Sequence, residues 1–440
     1  MARCLRISCK PGVGSWFFGI IGIDNYILYW YDIDKGGLVV EDTIIYSATI
    51  VNADRTSTGQ FIWIRGQAVH RTGSMDRLQE VPEETRRRAI MVDGSRGFFI
   101  PGMIDMHIHG VQGADAMDGT TEALETMARV LPAEGTTAFL PTTITQKSED
   151  ITRALKAVAE HRKTMPGEGQ AEIAGAHVEG PFFEPSKAGA QPAEFMVPAS
   201  VDLFETWRRA SGNAIRIVSL APEHDPDFAL TAHLQSMGVI ASAAHSNASK
   251  ALVDEAAKKG LSHITHLYNG MSGLHHREPG VAAAALLNPG LTVEIIADGV
   301  HSHPDMVKLA YQAAGAGRIC VITDSLRAKN LPDGSYDLGG QQVTVAGDKP
   351  YLADGTIAGS MLAMDKGFRN IQAFTGCSRE EAVRMTSWNA AHEIGLSERK
   401  GSIQAGKDAD IVWMDDSMHI QKVWCRGRVA AFEQKGEVKP

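Results

Sequence analysis

The chain has 440 residues, 44% hydrophobic and 22% charged, with a formal net charge of −9. Such proportions describe a folded globular protein with room for one large and one smaller domain. The acidic balance argues against a general nucleic-acid or anionic-membrane binder. Five scattered cysteines (Cys4, Cys9, Cys320, Cys377 and Cys425) form no CxxC pair, so a reduced cytoplasm is expected rather than a disulfide framework.

The N-terminus is basic ("MARCLRISCK"), then apolar and aromatic ("SWFFGIIGIDNYILYWY"). Asp24 and Asn25 interrupt that run and no small-residue cleavage motif follows, so a signal peptide is not expected. The run is also too short and polar for a membrane span. Residues 1–43 are taken as an extension of uncertain order. From Ile44 short strand patterns follow, "IIYSATIVNA", "GQFIWIRG" and "AIMVDGSRGFFIPG", a small β region.

The pattern then changes. Strand-length apolar runs recur: "GMIDMHIH", "TTAFLPTTI", "AEIAGAHVEG", "AIRIVSLAPE", "GVIASAAHS", "SHITHLYN", "LTVEIIADGVH" and "RICVITDS". Between them lie segments of helical periodicity such as "TTEALETMARVLPAEG" and "HPDMVKLAYQAAGAG", often ending in Gly. Eight strands alternating with helices predict an α/β fold, a (β/α)8 TIM-like barrel; a doubly wound open sheet is the alternative. In the tail, "SREEAVRMTSWNAAHEIGL" predicts a helix with Ser378 as N-cap and Glu381 completing a capping box. The strands of "GSIQAGKDADIVWMD" and "HIQKVWCRGRVA" should rejoin the N-terminal strands. The expected organisation is a barrel over 101–396 inserted into a discontinuous β-sandwich of 44–100 plus 397–440.

Barrel strands are buried on both faces, and polar residues at their C-terminal ends are where barrel enzymes keep their chemistry. Strand one ends in His107 and His109, three in Glu179, five in His245, six in His266 and eight in Asp324, while strand seven runs into His301. A lone strand-end histidine is ordinarily a hydrogen-bonded rim residue, and with 16 histidines a single His-x-His is near chance. Joint placement on one face is not. Imidazoles and a carboxylate together suit Zn, Fe, Mn or Co. His177 shares the face of Glu179 one layer deeper. His263 should point away from His266, and His161, His233 and His392 should be surface residues.

The blocks "PGMIDMHIHG", "HVEGPFFEPSKAGAQ", "HSNA", "THLYNGMS", "HHREPG", "ADGVH", "TDSLRAKNLPDG" and "GSIQAGKDADIVW" resemble the amidohydrolase superfamily and, within it, the N-acetylglucosamine-6-phosphate deacetylase family. The resemblance runs from about Ile44 to Arg428. It implies metal-dependent hydrolysis of the acetamide of N-acetylglucosamine 6-phosphate to glucosamine 6-phosphate and acetate. One or two divalent ions, Zn or Fe, are implied per subunit. Glu179, His245 and His266 would hold one, and His107 and His109 would complete a second site. Strand four ends "SLAPE" without the lysine that many superfamily members carboxylate, and Glu179 takes that ligand role. Asp324 would be the catalytic acid and base.

For substrate binding, the resemblance assigns Ala190 and Gln191, the backbone N–H groups of Asn269 and Gly270 with Arg277 on the phosphate, and His301 on the sugar hydroxyls. Ile357, Ala358 and Gly359 would form a loop closing over the sugar. The family's arginine loop can come from a second subunit, which implies a homodimer. Gln191 stands where the family pattern has histidine; an amide donates a hydrogen bond but carries no charge. A pairing of Gln191 with two metals follows as a hypothesis, and the departure leaves room for another epimer such as N-acetylgalactosamine 6-phosphate. A non-catalytic sugar-phosphate scaffold is the remaining alternative.

Overall fold

A computed structural model describes residues 42–164 and 167–431, with four short strand segments before them (Cys4–Leu5, Trp16–Gly19, Tyr29–Asp32 and Gly37–Leu38). Apart from those segments, residues 1–41 of the N-terminal extension lie outside the described residues, and its last two, Asp42 and Thr43, open a sheet strand.

The eight apolar runs form parallel neighbours. The barrel strands are, in order, Met103–Ile108, Thr136–Pro141, a third split into Glu172–Ile173 and Ala176–Glu179, then Ile215–Leu220, Ile240–Ala243, Leu261–Ile264, Thr292–Ile296 and Ile319–Ile322. Each pairs in parallel with the next, and a bridge from Thr142 to His177 spans the split. The last strand returns to the first: the N–H of Asp324 donates to the carbonyl of His107 at 2.8 Å, and that of Gly110 to Ser325 at 2.9 Å. The sheet therefore closes into a barrel, as the alternation required.

Helices separate the strands, and their polar caps sit where the sequence puts them. Thr120, Ser200, Ser249 and Ser378 each accept a backbone N–H at a helix start, satisfying donors that a helix leaves unpaired. The capping box of Ser378 and Glu381 is present. Inside the barrel, Ile104, Met106, Ala138, Leu140, Ala174, Ile217, Ile296, Cys320 and Ile322 pack on Ala390, Ala391 and Ile394. The helical turn carrying those two alanines and the isoleucine plugs the end away from the strand C-termini, so the open mouth lies at the strand C-termini.

The strands flanking the barrel in sequence join one sheet. Its order is Arg428–Val429, Ile420–Cys425, Ile411–Met414, Phe98–Pro101, Asp42–Val51, Thr56–Arg65 and Ala68–Ser74, with Ile90–Asp93 branching from Asp42–Val51. Strand alternation gives it two apolar faces. Ile45, Ile62 and Ile64 pack with Phe99, Ile411 and Trp424, while Ile44, Phe61 and Trp63 pack on Val81. A three-stranded antiparallel sheet over residues 334–351, which the alternation did not announce, lies between the last barrel strand and the helix Met364–Thr375. It packs Val343 and Val345 on Ile144, Leu326 and Ala358 at the barrel mouth.

Candidate metal centre

His107, His109, Glu179, His245, His266 and Asp324 all come together, buried, at the C-terminal ends of the strands. Their ligand atoms fall into two adjoining groups. Glu179, His245 and His266 form one, and His107, His109 and Asp324 the other. Glu179 touches both. Its Oε1 lies 3.3 Å from His245 Nε2 and 3.1 Å from His266 Nε2, and its Oε2 lies 3.3 Å from His109 Nε2 and 3.7 Å from His107 Nε2. Asp324 Oδ1 completes the second group, 3.4 Å from His107 Nε2 and 3.2 Å from His109 Nε2.

The loops place these atoms at a cost. His245, His266 and Asp324 each stand two residues beyond a strand end, with φ of 43°, 31° and 50°. A non-glycine residue in the left-handed region is strained by roughly 1 kcal/mol or more. Three such residues at equivalent positions show stability yielding to the geometry of the centre.

The donor set fits divalent cations. Three imidazoles have Nδ1 at an acceptor: His107 at Glu294 Oε2 (3.1 Å), His109 at the carbonyl of Thr142 (3.2 Å) and His245 at the carbonyl of Lys187 (2.9 Å). Holding the proton on Nδ1 frees the Nε2 lone pair for a metal. His107 Nε2 is buried with no hydrogen-bond partner, and the Nε2 atoms of His245 and His266 face each other at 3.2 Å. A cation between these groups and Glu179 would satisfy all of them.

The electrostatics agree. Burial alone drives protons off His109, but hydrogen bonds to Asp324 and Glu179 outweigh it and raise the imidazole to about 10 in the metal-free chain. Burial pushes the carboxyls of Glu179 and Asp324 up, yet the imidazolium charges override it and both lie below the usual range. The centre thus attracts positive charge. His177, one layer deeper, donates or accepts at Met106 and Ser219 and stacks on His107 at 4.6 Å. Burial first, and then the charge of His107, lower it to about 3, so it is neutral.

The residues assigned to substrate divide. Gln191 is buried beside the centre; its Oε1 accepts from Thr145 N–H (2.8 Å) and its Nε2 donates to Glu179 Oε2 (2.7 Å). The amide thus steadies the shared carboxylate. The carbonyl of Ala190 accepts from Gln341 Nε2 at 2.6 Å, so the small sheet straps this loop. Gly359, with φ of 63°, passes close to the carbonyl of Asp324, which accepts from Ser360 N–H at 2.7 Å. Ala358 is buried and donates its N–H to Pro350, which fixes Ile357 to Gly359 beside Asp324. His301 is held by Asp298 at 2.7 Å. Burial lowers its ring, but Asp298 and then Asp324 outweigh it and leave it raised.

Two phosphate assignments meet a different geometry. The backbone N–H of Asn269 already donates to the carbonyl of His266 at 3.0 Å, because the chain turns tightly after strand six, so it is not a free phosphate donor in this structure. Arg277 sits on an exposed loop and bonds to the neighbouring His276 ring at 2.7 Å, not to Glu278. It lines an open cleft with Asn247, Lys250 and Ser272, and among the described residues it makes no hydrogen bond or ion pair with the six central side chains. Gly270, with φ of 58°, abuts the centre: a Cβ there would stand 2.6 Å from His245 Nδ1.

His263 is fully buried between Glu294 and Glu393. Other histidines differ from expectation. His161 is buried and bonds to Glu125 at 3.2 Å. His233 is half-buried against Glu205, and His392 is exposed as expected. Glu294 escaped the sequence reading, although a carboxylate inside "LTVEIIADG" is the signal that would have found it. A buried charge in an apolar strand requires a partner.

The sequence profile of the amidohydrolase family matches residues 98–430. The chain is 46% identical to the N-acetylglucosamine-6-phosphate deacetylase of Bacillus subtilis (strain 168), over 81% of this chain and 90% of that one. It is 36% identical to the N-acetylgalactosamine-6-phosphate deacetylase of Escherichia coli O157:H7, over 76% and 87%. Among solved structures, a variant N-acetyl-D-glucosamine-6-phosphate deacetylase from Mycobacterium smegmatis, in complex with N-acetyl-D-glucosamine-6-phosphate, superposes with a TM-score of 0.81. It is 27% identical and covers 89% of this chain and 100% of that one.

Proposed function

The chain belongs to the amidohydrolase family, and from that premise we propose that it hydrolyses the acetamide of N-acetylglucosamine 6-phosphate to glucosamine 6-phosphate and acetate. The observation that carries this reading is the convergence of six ligand-type side chains into two adjoining groups spanned by Glu179. Divalent ions, Zn or Fe, held by Glu179, His245 and His266 and by His107, His109 and Asp324 would supply an acidified water and polarise the acetamide carbonyl.

The chain's own residues do the rest. Asp324, held at its backbone by His107 and Ser360, takes a proton from the attacking water. The same carboxyl returns that proton to the amine nitrogen as the C–N bond breaks, since an unprotonated amine leaves poorly. Gln191 keeps Glu179 in place. His301 faces the sugar hydroxyls, and the loop of Ile357, Ala358 and Gly359 closes the site against water. Arg277 takes the phosphate bidentately once its exposed loop is brought to a site, in keeping with donation across a homodimer. We place the enzyme in the cytoplasm; among the described residues no helix is long and apolar enough to cross a membrane.

The relative that acts on the galactosamine epimer supports a second reading, hydrolysis of N-acetylgalactosamine 6-phosphate. Acetate release from the two epimers, measured side by side, decides between them. A higher kcat/KM on the gluco epimer supports the proposal, and the reverse order overturns it.

A further inference from the structure

Glu294 lies within strand seven, its side chain fully inaccessible. Oε2 is 3.1 Å from His107 Nδ1 and accepts the backbone N–H of His266 at 3.4 Å. Oε1 faces His263 Nε2 at 3.3 Å, and neither of those buried atoms has another hydrogen-bond partner. On its other side, His263 Nδ1 is 3.3 Å from Glu393 Oε2, and Glu393 Oε1 accepts from Thr292 Oγ1 at 2.8 Å. The side chain of Glu393 is 24% exposed, on the helix Asn389–Glu393 that plugs the closed end of the barrel. A continuous polar line thus runs through the interior, from the candidate centre to solvent at the opposite end.

The charges along this line fix its purpose. An unpartnered carboxylate at this depth is strongly unfavourable. An imidazole whose Nε2 holds a metal is neutral and donates Nδ1–H to an acceptor behind it. His107 in that state orients on Glu294 but cannot be its counter-charge. His263 touches two carboxylates and is placed to be that cation, while Glu393 balances it where water reaches. We propose that Glu294, supported by His263 and Glu393, is a positioning residue for the centre. It fixes the tautomer and ring angle of His107, and so builds the pocket of His107, His109 and Asp324 from the far end of the barrel. The inference rests on the reading of two metal ions under Proposed function.

The test is titration of metal-free protein with Zn2+, following stoichiometry by native mass spectrometry and the two affinities by calorimetry. Wild type, Glu294→Gln, Glu393→Gln and a reference variant, His109→Asn, are compared. His109→Asn removes a ligand from one pocket and so identifies which affinity belongs to it. Glu294→Gln is expected to weaken that pocket roughly 10- to 100-fold, the range for partners behind a metal ligand, and to leave the pocket of Glu179, His245 and His266 unchanged. Glu393→Gln, partly exposed and tolerant of folding, is expected to weaken the same pocket by less. Wild-type affinity at both pockets in both variants would overturn the inference, as would an equal loss at both pockets. A wild type that binds two ions beside unchanged variants overturns the relay alone. A wild type that binds one ion overturns the two-metal reading and the relay with it.

Discussion

His107-x-His109 illustrates what single residues disclose. As a pair it was near chance; its meaning came from Glu179, His245, His266 and Asp324 at other strand ends, and the structure brings all six together. Their gathering was legible because a parallel barrel puts every strand's C-terminal end on one rim. Contact between His263 and Glu294 was not, since it depends on which side chains meet across the barrel interior. The carboxyl of Asp324 also lies within a ligand group rather than apart from it. We expect Asp324→Asn to retain the ion of Glu179, His245 and His266 and to lose roughly 10²- to 10⁴-fold in turnover, measured as metal content beside acetate release; full turnover with bound metal would remove Asp324 from the mechanism. Gln191, expected among the substrate-binding residues, donates to Glu179. Gln191→His brings an ionisable ring against that carboxylate, where a positive charge competes with a second cation. The variant should bind fewer than two ions per chain and release acetate more slowly, and unchanged stoichiometry and activity would contradict this.

At the scale of elements, the strand count followed from periodicity, and the capping box at one helix start from Ser378 and Glu381. Loops carry the rest, and their conformations are not periodic. Gly270 is the clearest case. With φ of 58° and its α-carbon against His245, it lets the chain pass behind the imidazole proposed as a ligand. Gly270→Ala drives a methyl group into that ring. We expect metal affinity and acetate release to fall roughly 10- to 100-fold, as when a ligand's support is lost. Gly347→Ala is the control: its φ of 62° imposes similar backbone strain, with nothing within 4 Å of the added methyl, and it should retain wild-type activity. Equal activity in the two variants would show that closeness to His245 does not matter. The small sheet over residues 334–351 escaped the barrel alternation because it is an insertion between strand eight and its helix, yet its Gln341 holds the loop of Ala190 and Gln191.

Across the whole molecule, the barrel and the flanking sheet are tied by a buried ion cluster. Lys400 Nζ lies 2.5 Å from Asp410, 3.0 Å from Glu172 and 3.1 Å from Asp408, and Arg399 bridges Glu172 and Asp408. Glu172 belongs to barrel strand three, whereas Asp408 and Asp410 precede the sheet strand Ile411–Met414. Such a cluster is invisible to periodicity, because Glu172 lies 227 positions from Arg399 in sequence. Burial pushes Glu172 up, but Lys400 and Arg399 outweigh it and hold the carboxyl at about 2 against an ordinary 4.5. A lowered carboxyl contributes stability above its unfolded value and loses it as pH falls through the folded one. That contribution, on the order of 3 kcal/mol at most, should disappear between pH 4.5 and 2. Denaturant unfolding in that window should give a shallower pH dependence for Glu172→Gln than for wild type, and parallel curves would contradict the assignment.

The account as a whole stands on a metal-dependent deacetylase built at the barrel mouth. Its most direct test is acetate release from N-acetylglucosamine 6-phosphate by purified protein whose metal content is measured in the same sample. We predict two divalent ions per chain and release that chelation abolishes and added Zn2+ or Fe2+ restores. Undiminished release from metal-free protein, or none from the metal-loaded protein, would contradict the central claim.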